Sequence, residues 1–176
     1  LGETIKKISL EKAAAITQHT RMVFTVKQKK EAHNILKNQS KQHNLALQLA
    51  SSNVKNYNLQ HMHGAHQVTN AQLAETIART LAKKLFPRIN MEHILAGIQN
   101  TRWPGRFQTI NLQPTIIFDV AHNNAGIKSF IDTTKQLLLK QDYSNRTLIC
   151  AFEANKKINQ TIFVLNNMFN DIICTE

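Results

Sequence analysis

The spacing of apolar residues changes near the middle of the chain. Before residue 101 apolar side chains mostly recur three or four positions apart, which is typical of amphipathic helices. This spacing predicts helices over residues 1–16, 29–42, 68–86 and 91–98. The short apolar run at 22–26 predicts a strand, and the polar stretch at 51–66 predicts a loop.

After residue 104 short apolar runs alternate with helical spacing. The pattern predicts strands over residues 107–110, 115–120, 147–152 and 171–175, with helices over 125–140 and 158–170. The run Ile116–Phe118 is apolar without alternation, as in strands that helices cover on both faces. We therefore predict an α/β fold whose two domains meet between residues 102 and 103.

Composition narrows the class of protein. Hydrophobic residues make up 42% of the 176-residue chain, enough to form a core, and no apolar run approaches the ~20 residues that span a bilayer. The first residues already carry charge, unlike a secretory signal. Cys150 and Cys174 lie in strand-like runs, and we expect both to be reduced thiols in a core. These features predict a cytoplasmic protein without membrane partners.

The net charge of +11 raises the question of nucleic-acid binding. The 22 Lys and Arg residues occur along the whole chain, and there are few Trp and Tyr residues for base stacking. A cleft that binds ATP and other polyanions also favours positive potential. We expect no nucleic-acid partner, and keep a basic nucleic-acid-binding protein as the alternative.

Lys12 and Asn70 are candidates because of their predicted helix faces. Lys12 lies on the face of Ile5 and Ile8 and should point inward. Either its ammonium reaches solvent, or burial lowers the pKa of the amine, which can then form a carbamate that ligates magnesium. Asn70 lies at the start of its predicted helix, on the same face as Ala74, and should also point inward. It could cap the helix, or its amide could recognise a ligand.

A second set of candidates follows the predicted domain boundary. Arg106 comes directly after the Pro104–Gly105 turn and could bind phosphate, although a turn alone explains that segment. Asp119, His122 and Asn123 lie between a strand and a helix, where α/β sheets bind ligands. Asn123 could instead simply cap the helix.

The sequence has a weak zinc-site signature and lacks a nucleotide-binding phosphate loop. Residues 61–66 contain three histidines but no cysteine or carboxylate, which is a poor zinc site. The chain contains no GxxxxGK[ST] phosphate loop. An ATP-dependent enzyme would therefore need that loop from residues outside this sequence.

Four segments in order resemble the folylpolyglutamate synthase/dihydrofolate synthase branch of the Mur ligases. They are LGETI running into Glu11–Ala13, Gly64–Gln67 with Asn70–Ala71, Trp103–Phe107 (WPGRF) and Asp119–Asn123 (DVAHN). The resemblance implies an internal piece of such an enzyme. Residues 1–102 would be the C-terminal part of its ATP-binding central domain, of P-loop type. Residues 103–176 would begin its Rossmann-like C-terminal, glutamate-ligase domain.

The resemblance also implies an activity. A folate carboxylate takes the γ-phosphoryl group of ATP, and the amine of L-glutamate then displaces phosphate. Lys12 would be a carbamate that holds Mg²⁺, and His122 would lie near the glutamate. Residues implied to contact ATP are Ala13, Ala14, Asn70, Arg106 and Asp119. The substrates would be ATP, L-glutamate and a folate or dihydropteroate, in a monomeric enzyme.

Several residues depart from the family pattern. Ala14 replaces a glycine near the phosphates, Asn124 replaces a proline, and residues 151–156 lack the usual Asp-Lys-Asp pattern. We expect the 176 residues alone to be catalytically inactive. Two alternatives stay open: another Mur-type amide ligase with a different acceptor, and a diverged, non-catalytic nucleic-acid-binding relative.

Overall fold

The computed structural model describes residues 4–51, 56–140, 143–151 and 164–175. They form two compact units: the first contains Leu1–Tyr57 and Val68–Ile98, and the second contains Asn58–Gln67 and Gln99–Glu176. The grouping of 58–67 with the second unit was not predicted. The assignment of each half to a named ligase domain stays a prediction.

The first unit contains a β-α-β crossover. Strand β1 (Val23–Thr25) pairs in parallel with β2 (Leu47–Leu49), and helix α2 (Lys30–Gln42) connects them. Parallel neighbours require such a crossover. Strand β1 and helix α2 were predicted, whereas β2 was missed because three residues are too few to show a pattern.

Helix α1 (Ile5–Ala13) packs against α2 through a face that the sequence did not indicate. Thr4 caps it by accepting the Lys7 N–H at 3.2 Å. Its buried residues are Ser9 and Ala13, whereas Ile5 and Ile8 are 39% and 40% exposed. Small residues allow the two helices to approach closely. The prediction that Lys12 points inward with the isoleucines is therefore wrong.

Helix α3 (Ala65–Lys84) also buries a different stripe from the predicted one. Gln67, Ala71 and Glu75 are buried, while Asn70 and Ala74 are exposed. The helix begins three residues before the predicted start, so Asn70 lies in its second turn rather than at its end. The inward-facing prediction for Asn70 is wrong. A buried glutamate on the packed face hid the true stripe from a hydrophobicity pattern.

Glu75 is tolerated in the interior because it has partners within the first unit. The Tyr57 hydroxyl donates to Glu75 Oε2 at 2.7 Å, and Arg79 Nη1 lies 3.4 Å from Glu75 Oε1. Burial raises the pKa of Tyr57, and the Glu75 carboxylate raises it further. These residues line a cleft of about 480 Å³. The pairing therefore stabilises a charge that would otherwise be costly to bury.

The remaining elements follow the predicted order. Helix α4 spans Met91–Gln99, β3 spans Gln108–Leu112, β4 spans Thr115–Phe118, helix α5 spans Asn124–Leu138, β5 spans Thr147–Cys150, and β6 spans Asp171–Cys174. Strands β3 and β4 form an antiparallel hairpin, and β5 pairs in parallel with β6. Residues 158–163 of the predicted helix at 158–170 lie outside the described residues, and within the described part only residues 164–166 are helical.

The core of the second unit lies where α5 covers β5 and β6. Ile127 and Ile131 on α5 pack with Leu165 and Met168, and Leu148 and Ile172 are partly buried against them.

Strand β4 does not have the predicted burial on both faces: Ile116 and Phe118 are 46% and 47% exposed. In the described chain its continuous apolar run belongs to a two-stranded hairpin.

Replacing Tyr57 by Phe should destabilise the protein. The change leaves a buried Glu75 oxygen without its hydroxyl donor, which costs about 1–3 kcal/mol. Urea unfolding measures this free energy. Arg79→Ala is the comparison, because Arg79 is 63% exposed and surface pairs contribute at most about 1 kcal/mol. A larger loss for Arg79→Ala than for Tyr57→Phe would contradict the assignment.

Candidate functional site

Asp119 joins two of the sequence motifs within the second unit. Its Oδ2 accepts the Phe107 N–H at 2.8 Å, and its Oδ1 accepts the Ala121 N–H at 2.7 Å. One carboxylate therefore binds the backbone of the WPGRF turn and that of the DVAHN loop. Hydrogen bonds to a charged acceptor are stronger than neutral ones. We call this pair of contacts the Asp119 clamp.

Gly105 is needed where the turn approaches strand β4. Its φ of +71° is left-handed, and a Cβ here would lie 2.6 Å from Val120 Cγ1. The Val120 N–H donates to the Gly105 carbonyl at 3.0 Å, and the Gly105 N–H donates to Gln108 Oε1 at 3.0 Å. Only glycine combines this conformation with this proximity.

Phe107 is held in a strained conformation by its surroundings. Its φ is +48°, which is unusual for a bulky residue, and its side chain is buried. The ring contacts Phe130 and His63, with centroid separations of 5.8 and 6.0 Å. The aromatic contacts and the Asp119 clamp together compensate for the strain.

His122 and Asn123 lie at the N-terminus of α5. Asn123 Oδ1 accepts the Gly126 N–H at 2.9 Å, so Asn123 caps the helix, which is one of the two roles that its position allowed. His122 Nδ1 lies 3.0 Å from the Val120 carbonyl. A carbonyl only accepts, so Nδ1 carries the proton and a neutral ring keeps its Nε2 lone pair. The exposed His122 can therefore accept a hydrogen bond at Nε2.

Arg106 lies in the same cluster, and its side chain is exposed between the buried Gly105 and Phe107. His66, the second residue of α3, interacts electrostatically with Arg106 and with Asp119. Partial burial lowers the pKa of His66; the Asp119 charge opposes this and the Arg106 charge adds to it. The cluster thus combines an exposed guanidinium, a fixed carboxylate and an imidazole whose pKa is lowered.

His63 and His66 are the members of this cluster that sequence reasoning did not assign. Gly64 between them has a φ of +100°, and a Cβ there would lie 2.6 Å from Thr133 Oγ1. Burial, followed by the charges of His61 and Lys140, lowers the pKa of His63. The motif Gly64–Gln67 contains His66, and it is the signal in the sequence that could have indicated this histidine.

The other predicted site residues lie in the first unit. Lys12 is exposed and its Nζ lies 3.4 Å from Glu11 Oε1. Ala13 is 2% exposed, whereas Ala14 is the exposed C-cap of α1. Asn70 is exposed on α3. The structure therefore brings Arg106, Asp119 and His122 together within one unit, and it does not test the predicted ligand roles.

No group of three or more His, Cys, Asp or Glu side chains suited to a metal occurs in the described residues. The carboxylate beside Lys12 is that of its neighbour Glu11, and the pair is solvent-exposed. None of the described helices is long and apolar enough to cross a membrane.

Comparison with known proteins supports the resemblance seen in the four motifs. No family model matches the chain. A curated dihydrofolate synthase/folylpolyglutamate synthase from Bacillus subtilis is 26% identical over 178 residues, covering 89% of this chain and 40% of that protein. The folylpolyglutamate synthase of Lacticaseibacillus casei is 34% identical over 74 residues, which are 42% of this chain and 17% of that protein.

Solved structures confirm the fold. A Mycobacterium tuberculosis folylpolyglutamate synthase complexed with ADP matches with a TM-score of 0.74 and 22% identity, covering 100% of this chain and 44% of that one. A folylpolyglutamate synthase complexed with AMPPCP and folate matches with a TM-score of 0.76 and 22% identity, covering 100% and 48%. The chain thus has the α/β fold of these folylpolyglutamate synthases and spans less than half of their length.

The two histidines should make stability depend on pH. Their pKa values are lowered by folding, so the unfolded chain binds more protons as pH falls below about 6.5. Stability is therefore fully present above that pH and is lost on acidification. We expect the melting temperature to fall between about pH 7.5 and 5.5, and to fall less in a His63→Gln/His66→Gln variant. An identical fall in both proteins would contradict the assignment.

Proposed function

We propose that these residues form part of an ATP-dependent ligase that joins L-glutamate to a folate, to dihydropteroate, or to both. In this reaction a substrate carboxylate attacks the γ-phosphorus of ATP and ADP leaves. The glutamate amine then attacks the acyl phosphate, forms the amide and releases phosphate. The similarity to folylpolyglutamate and dihydrofolate synthases supports this reaction class.

The Asp119 clamp is the observation that carries the proposal. It holds the turn that bears Arg106 against the loop that bears His122, at the N-terminus of α5. A guanidinium beside a helix N-terminus suits an anionic ligand, because both attract phosphate or carboxylate oxygens. We assign Arg106 to a phosphate of ATP and His122 to the glutamate side of the site.

Asp119 retains acceptor capacity for a ligand. Each carboxylate oxygen has two lone pairs, and the clamp uses one on each. The free lone pairs can accept hydrogen bonds from the ribose hydroxyls of ATP. Asn70 is proposed to recognise the adenine, while Ala13 and Ala14 border the phosphates.

Lys12 is proposed to hold Mg²⁺ as a carbamate. Its exposed Nζ lies 3.4 Å from Glu11 Oε1, so this role requires further ligands around the pair. When bound, Mg²⁺ would neutralise charge on the transferring phosphoryl group. A monomer in the cytoplasm remains the expected state.

One observation favours the nucleic-acid alternative. Residues 1–57 and 68–98 contain 14 Lys and Arg residues against five Asp and Glu residues, whereas the rest of the chain contains eight against six. The positive charge is therefore concentrated in the first unit rather than spread evenly. Salt-sensitive binding to DNA or RNA without ATP binding would support this alternative.

The test is transfer of labelled L-glutamate to tetrahydrofolate and, separately, to dihydropteroate, with ATP and Mg²⁺. We expect no product from the 176-residue chain and product from the longest reading frame that contains it. The Arg106→Ala variant should weaken ATP binding about 10-fold or more, because a charge-assisted contact is lost. Arg102→Ala is the matched control, because Arg102 is also exposed four residues earlier.

Two outcomes would contradict the proposal. If the longer protein extends neither acceptor, the folate assignment fails, and extension of a different acceptor would indicate another amide ligase. If Arg102→Ala weakens ATP binding as much as Arg106→Ala, the role of Arg106 is only general electrostatic attraction.

A further inference from the structure

Cys150 and Cys174 lie side by side at the ends of two strands. Cys150 is the last residue of β5, Cys174 is the last residue of β6, and the two are direct partners in the parallel register. Their Sγ atoms are 3.8 Å apart. The Thr175 N–H donates to the Cys150 carbonyl at 2.9 Å, so the pairing continues past the cysteines. The backbone therefore holds the two thiols together.

This arrangement allows a disulfide with little movement of the main chain. Neighbouring strands lie about 4.8 Å apart, within the Cα separation of roughly 4.4–6.8 Å that disulfides need. The sulfur atoms must approach to about 2.05 Å, and rotation of the side chains can provide most of that change.

The two thiols differ in accessibility. Cys174 is exposed, which corrects the expectation that both cysteines lie in the core, and Cys150 is half-buried. Burial is the main cause that raises the pKa of Cys150 to about 11, and its contact with Cys174 adds to the shift. Cys174 is therefore the thiol that an oxidant meets first, since Cys150 is shielded and holds its proton.

We propose that Cys150 and Cys174 form a redox modification site, at which a low-molecular-weight disulfide converts the paired thiols into a bond between β5 and β6. The Cys174 thiolate attacks one sulfur of the oxidant and expels one thiolate, giving a mixed disulfide. Cys150 then loses its proton, attacks Cys174 Sγ and expels the second thiolate. The cysteines lose two electrons and two protons, and the oxidant becomes two thiols.

The bond would constrain the chain between residues 150 and 174. It would close a loop across 24 positions and fix the register of β5 against β6. Closing a loop of this size stabilises proteins mainly by restricting the unfolded chain. We expect the melting temperature to rise by roughly 5–10 °C on oxidation and to return on reduction.

The experiment incubates the 176-residue protein with glutathione disulfide, quenches free thiols by alkylation and digests the unfolded chain with trypsin. Cleavage after Arg146, Lys156 and Lys157 separates the two cysteines into different peptides. We expect mass spectrometry to find these peptides linked, in protein that runs as a monomer on a non-reducing gel. Cys150→Ser should instead retain glutathione on Cys174, because the resolving thiol is missing.

The accessible cysteine provides a second measurement. In Cys174→Ser, Cys150 should react with glutathione disulfide about 10-fold more slowly than Cys174 does in Cys150→Ser. A stable glutathione adduct on Cys174 of the unsubstituted protein would overturn the proposal, as would disulfide-linked dimers or equal reactivity of the two thiols. A reversible intramolecular link with the expected order of reactivity would support it.

Discussion

The arrangement of the second unit depends on two hydrogen bonds to one carboxylate. Asp119 accepts backbone N–H groups from Phe107 and Ala121, one on each oxygen. Bonds of this kind contribute about 1.5–3 kcal/mol each, comparable with the roughly 1–3 kcal/mol of strain expected for a residue such as Phe107 with positive φ. The carboxylate thus makes an unfavourable turn tolerable and places Arg106 beside the start of α5. Without it, the turn and the loop would keep the hydrogen bond from the Val120 N–H to the Gly105 carbonyl but lose both bonds to the side chain.

The same cluster connects the motifs that the sequence presented separately. Residues 63–66, the WPGRF turn and the DVAHN loop are distant in sequence but contribute to one set of contacts around Phe107 and Asp119. An anion could meet an exposed guanidinium and a helix N-terminus there, while two backbone N–H groups hold the carboxylate in place. This combination of fixed and available polar groups is why the proposed ATP contacts are chemically reasonable.

Sequence reasoning succeeded where a local rule determines the structure. Asn123 was one candidate for a cap, because a small polar side chain before a helix satisfies a free N–H, and it does so here. Helix α2 and strands β4 to β6 followed from spacing. The predictions for Lys12 and Asn70 are wrong, because the packed faces of α1 and α3 contain Ser9 and Glu75, which a hydrophobicity pattern counts as outward-facing. The burial of Ser9 and Glu75 is explained only by their tertiary partners, which are α2 and Tyr57.

Contacts between distant residues were equally inaccessible to a single sequence. Nothing in the spacing predicts that His66 interacts with Asp119 or that Cys150 pairs with Cys174, because both depend on turns and strand register. The motifs indicated which segments are important, and the structure shows how those of the second unit meet. The roles of Lys12, Ala13, Ala14 and Asn70 stay predictions for the same reason.

A double-mutant cycle on ATP affinity tests the central claim most directly. The cycle compares Asp119→Asn, Arg106→Ala and the double variant in the longest reading frame that contains these residues. If the Asp119 clamp positions Arg106, the losses of ATP-binding free energy in the two single variants do not add. The double variant then binds ATP about as weakly as the single variant with the lower affinity. Losses in free energy that add within about 0.3–0.5 kcal/mol would show that the two residues act independently, and would contradict the account.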